Sequence, residues 1–133
     1  MRAMMRAAAV AMVLATAFGG TGLQAQPSGT ARQTLEREIH QGMPYAQARR
    51  ILLAAGWQPV ASQPPCLNQV TPALCAALPE VMNTSSGPIA YTEMQLRHAG
   101  SGAAVTVLAT GDITRWNRPG EEDEFTVERL SFR

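Results

Sequence analysis

The chain contains no lysine: its eleven basic residues are all arginine, set against ten acids for a net charge of +1. Only Arg49-Arg50 places two of them side by side in the folded part. That excludes the concentrated basic surface that nucleic acid requires and the polybasic cluster that holds a protein on an anionic membrane. Histidine and cysteine are equally scarce, at two each. His40 and His98 stand at no ligand spacing, so no four-ligand metal site and no cofactor are expected. No G-x-S-x-G surrounds Ser85 or Ser86, which removes the nucleophile elbow of a serine hydrolase. After Phe18 no apolar run approaches the roughly 20 residues that span a bilayer.

What is present begins with a tripartite start. Arg2 and Arg6 give a positive n-region, Ala7 to Phe18 an uncharged apolar run, and Leu23-Gln24-Ala25 a small-residue cleavage context. Residues 1–25 therefore read as a signal peptide, and the product as periplasmic or secreted, with no membrane anchor left after cleavage. Cleavage removes two arginines and leaves a net charge of about −1 on a chain long enough for one domain. Both Cys66 and Cys75 fall in the mature part. In an oxidising compartment they are expected to form a disulfide, adding roughly 2.5–3 kcal/mol by loop closure. The spacing is not C-x-x-C, which argues against redox chemistry.

Residues 26–33 read as a disordered leader and 34–133 as a single domain. Leu35 and Ile39 suit a short helix over 34–41. The clearest element is a helix over 44–55: Pro44 opens it, Tyr45, Ala48, Leu52 and Ala55 form one apolar stripe, and Gly56 closes it. Trp57 to Val60 extends as a first strand. Residues 61–88 carry five prolines between polar residues, so a tied loop is expected there, with at most a helical turn at Pro72–Leu78. Ile89–His98 and Ala103–Thr110 form a hairpin around Ala99-Gly100-Ser101-Gly102. Phe125–Phe132 is a last strand whose apolar residues change face between Val127 and Leu130, which a β-bulge would reconcile. The expected fold is α+β: a two-layer domain with an N-terminal helix or helix pair packed on an antiparallel sheet of three to four strands.

The stretch from Gln41 to Pro59, QGMPYAQARRILLAAGWQP, resembles small exported bacterial proteins that carry a GM-x-Y-x-x-AR-x-x-L-x-x-x-GW-x-P signature. Pro79-Glu80-Val81, Ser86-Gly87 and the hairpin follow in the order those proteins have. Those proteins flank the Ser-Gly segment with a cysteine pair. Here Asn83 and Tyr91 stand in that neighbourhood and the pair is at Cys66 and Cys75 instead. The layout also looks distantly like the SmpA/OmlA-type and β-lactamase-inhibitor-type domains. Both are binding modules, and the likeness is one of fold.

These observations favour a binding or adaptor module acting by protein–protein contact on an envelope partner, not an enzyme. Inhibition of an exported hydrolase is the nearest alternative, and a small periplasmic hydrolase a further one. The exposed sheet face and loop 111–124 supply the candidate contacts, Gln95, Arg97, Trp116 and Arg118, because tryptophan and arginine anchor interfaces. Arg49 and Arg50 read as a solvated basic step, or as partners of Glu36 or Glu38. His98 reads as solvated, and Glu121 to Glu124 as a charged loop keeping the following strand soluble.

Overall fold

A computed structural model describes residues 28–60, 63–87 and 89–133; the expected signal peptide lies outside them. The elements run α1 (Ser28–Glu38), α2 (Tyr45–Ala54), β1 (Trp57–Pro59), α3 (Gln63–Gln69), α4 (Pro72–Ala77), β2 (Val81–Ser85), β3 (Tyr91–His98), β4 (Ala104–Gly111) and β5 (Phe125–Phe132). The two-layer α+β architecture stands. The antiparallel sheet has five strands where three to four were expected, in the order β1-β3-β4-β5, with β2 also on β3.

One core joins the layers. Ala31 and Leu35 of α1 and Ile39 just after it, with Tyr45, Ala48 and Leu52 of α2, meet Met94, Leu96, Val105 and Val107 of the central strands. Burying each such large side chain contributes about 1.5–3 kcal/mol. α1 begins at Ser28, before the Thr34 expected, so most of the stretch read as a disordered leader is helical; residues 26 and 27 lie outside the described ones. The reason is Ala31, which extends the Leu35–Ile39 stripe by one turn and is itself buried. Gly56 ends α2 as expected, at φ +88°.

β5 resolves its own ambiguity. The pairing shifts by one residue between Leu108 and Ala109, so Val127 faces Ala109 while Leu130 faces Val107 and Phe132 faces Val105. The bulge turns Phe125, Val127, Leu130 and Phe132 all toward the core.

The proline-rich region departs most from expectation. Its described residues fold as a helical hairpin, whose second helix is the turn expected at Pro72–Leu78, followed by a strand. Pro64 and Pro65 fall in the first turn of α3, and Pro72 in the first turn of α4, where a missing N–H costs nothing. Thr71 caps α4 by accepting from the Leu74 N–H. The expected disulfide joins Cys66 to Cys75, Cα atoms 5.8 Å apart, with both residues buried. β2 lacks apolar alternation because it is short and at the edge of the sheet. Its Thr84 N–H is satisfied by the Gln69 side chain at 3.0 Å and not by another strand.

β1 and β2 lie end to end along β3: Pro59 pairs with Leu96 and Val81 with Met94. The backbone of Gln95 holds both, accepting from Val60 N–H at 3.0 Å and donating to Glu80 C=O at 2.9 Å. Among the described residues no helix is long and apolar enough to cross a membrane.

Candidate functional site

Among the described residues a cleft with a volume of about 940 Å³ opens between the α3–α4 hairpin and the ends of the strands. One wall is the α3–α4 hairpin, through Val70, Leu74 and Ala77; the opposite wall is the turn after β4, through Ile113, Trp116 and Asn117. Ser85, Ser86, Tyr91 and Thr92 line it from the strand ends, and no histidine lines it.

The turn is fixed at its base. Gly111 has φ +108°, and a Cβ there would fall on the Glu124 carbonyl. That carbonyl accepts from the Asp112 N–H at 2.8 Å. Asp112 then accepts from the Thr114 N–H at 3.0 Å and the Thr114 hydroxyl at 2.6 Å. These bonds hold its carboxyl below the usual range, so it stays ionised at neutral pH. Trp116 follows, half-buried, with its ring centre 6.5 Å from that of Tyr45.

Behind Trp116 lies the most unusual group in the fold. Glu80, just before β2, is wholly buried. Its carboxylate accepts from the Tyr45 hydroxyl at 2.9 Å and from Arg49 Nε at 2.6 Å, with Arg49 Nη2 at 3.5 Å from the second oxygen. The Arg49 guanidinium also sits over the Trp116 ring, 5.7 Å from its centroid. Burial first, and the adjacent carboxylate second, push the Tyr45 phenol well above its ordinary range, so the hydroxyl remains a donor. Arg49 is therefore neither a solvated step nor a partner of Glu36 or Glu38, as read from sequence. Tyr45 and Arg49 are four residues apart on one helix, so an arginine following the buried tyrosine by one turn lies on the inward stripe. That spacing is the signal that would have found it. Glu80 had no such local signal, and its place in Pro79-Glu80-Val81 was its only mark.

The four residues singled out from sequence do not form one surface. Trp116 walls the cleft. Arg118 is exposed nearby, 3.9 Å from Glu121. Gln95 and Arg97 alternate with the buried Met94 and Leu96 and so project from the opposite face of the sheet. That face holds a smaller depression of about 500 Å³ lined by Ile89, Tyr91, Glu93 and Leu108, with Ile89 73% exposed. His98 is not solvated as read: it is half-buried, Nδ1 lies 2.8 Å from Ser101 Oγ, and its ring packs on Trp57 at 5.2 Å. Trp57 is buried in the core. Among the described residues no group of histidine, cysteine and acidic side chains is placed to hold a metal ion.

No protein-family model, curated protein or solved structure matches the chain.

Proposed function

We propose that the chain is an exported binding module that acts by protein–protein contact, taking a loop of an envelope partner into the cleft between the α3–α4 hairpin and the 112–117 turn. The observation that carries this reading is the cleft, which sets a half-buried tryptophan opposite Leu74 and Ala77 in a chain of this size. A concave site with an apolar lining and a few hydroxyl and amide groups suits one apolar anchor side chain flanked by polypeptide backbone. Ser85, Ser86 and Asn117 line it and would hydrogen-bond that backbone. Export is supported by the tripartite N-terminus and by the Cys66–Cys75 disulfide, which belongs to an oxidising compartment.

The test is capture of partners from an envelope extract by the oxidised chain, compared with Trp116→Ala, with Ala77→Trp to fill the cleft, and with Arg97→Ala on the opposite face. The expected result is one stoichiometric partner, lost with the first two variants and kept with the third. A partner captured equally by all four proteins refutes the cleft as the binding surface.

A further inference from the structure

We infer that Arg49 is a positioning residue: it fixes the Trp116 indole as a wall of the cleft, and the buried Glu80 carboxylate exists to hold Arg49 in place. This rests on the cleft being the binding surface, but it is tested separately. The argument starts from how Trp116 is held. Its backbone N–H reaches only the local Ile113 carbonyl, at 3.2 Å, so no strand or long-range backbone bond sets the indole. Its ring instead meets two side chains of α2, Tyr45 at 6.5 Å and Arg49 at 5.7 Å. The same two side chains are the donors to Glu80. One carboxylate thus orders both groups on which the indole rests.

An arginine that served only to neutralise Glu80 would have no need of the indole. A planar guanidinium can bond a carboxylate along its edge and still offer its face to a ring, whereas a lysine ammonium offers a point charge without a face. Buried ion pairs are often no more stabilising than apolar side chains of similar size. Retention of one beside an otherwise apolar core is explained by the geometry it imposes. An indole already ordered in the free protein spares the partner the cost of ordering it, so releasing it would weaken binding by about two- to tenfold.

The experiment labels the chain with 5-fluorotryptophan, giving one fluorine resonance for each of its two tryptophans. Trp57, buried against His98 and Phe132, serves as the internal control. Arg49→Lys keeps a cation for Glu80; Arg49→Met removes it. With positioning by stacking, both variants raise the solvent-isotope shift of the Trp116 resonance by about twofold and leave Trp57 unmoved. Arg49→Lys also keeps most of the melting temperature. If Arg49→Met fails to fold, Arg49→Lys decides. A Trp116 resonance unchanged in the lysine variant overturns the proposal, because charge alone then suffices. If the lysine variant frees the indole while Trp116→Ala still captures the partner, positioning stands and the cleft reading falls.

Discussion

The buried Arg49–Glu80 pair allows a double-mutant cycle whose terms can be worked from the geometry. Removing the guanidinium with Arg49→Met strips Glu80 of its counter-ion in a site with no solvent exposure. Uncompensated buried charges cost about 3–5 kcal/mol. The Tyr45 hydroxyl remains as a donor at 2.9 Å, which puts the expectation at the lower end, about 3 kcal/mol. Glu80→Gln keeps the shape and one acceptor oxygen, and the Arg49 side chain retains 18% exposure through which water can reach it. That change should cost less, about 1–2 kcal/mol. The double variant removes both charges and should cost less than the sum of the singles, by about 1.5 kcal/mol or more. Urea unfolding at neutral pH with the disulfide intact, followed by far-UV circular dichroism, measures all four proteins. For a domain of this length the Arg49→Met variant should melt about 12 °C lower or more. Additivity within about 0.5 kcal/mol would mean that the two groups are energetically independent and would refute the reasoning.

Two further outcomes follow from the same architecture. The folded-state value of the Tyr45 phenol is raised above its unfolded value, so its contribution is fully present below pH 10 or so and is lost as pH rises through the folded value. Stability should therefore fall above pH 10 by up to about 1.4 kcal/mol per pH unit from this group. Urea titrations between pH 9 and 11 should show that component missing in Tyr45→Phe, and an identical slope in both proteins would sink the assignment. Replacing both cysteines with serine should cost about 2.6 kcal/mol for a loop with a sequence separation of 9. Hydrogen exchange should then speed up first in α3 and α4, and uniform acceleration across the sheet would show that the hairpin is not an independent unit.

Most of the scaffold was legible because its patterns are local. The α2 stripe, the glycine that ends it, the alternation of β3 and β4 and the face change in β5 each follow from spacing along one element, and each appears in the fold. The disulfide followed from there being one cysteine pair. The region from 61 to 88 was only partly legible: the helical turn expected at Pro72–Leu78 is α4, but Pro64 and Pro65 read as breakers, whereas their position in the first turn of α3 makes them starters. β2 carries no apolar rhythm because it is short and lies at the edge of the sheet, where the Gln69 side chain accepts from the Thr84 N–H. The cleft was half legible. Trp116 stood out by type, but its opposing wall depends on a hairpin of which the sequence showed only the second helix. Glu80 meets Arg49 from 31 positions away, a distance across which only the fold can speak.

The chain departs from β3 after pairing Pro59 with Leu96 and returns to pair Val81 with Met94, two positions along the same strand. Everything between is a closed excursion, stapled internally by its own disulfide and anchored at both ends on the backbone of a single residue, Gln95. Such a segment behaves as a cassette. Its length should be changeable without altering any strand register, provided Cys66, Cys75 and Leu78 keep their places in the core and Gln69 its bond to β2. The excursion also forms one wall of the cleft and ends at Glu80, the carboxylate bonded to the two side chains behind the other wall, so both sides of the concavity trace back to this one segment.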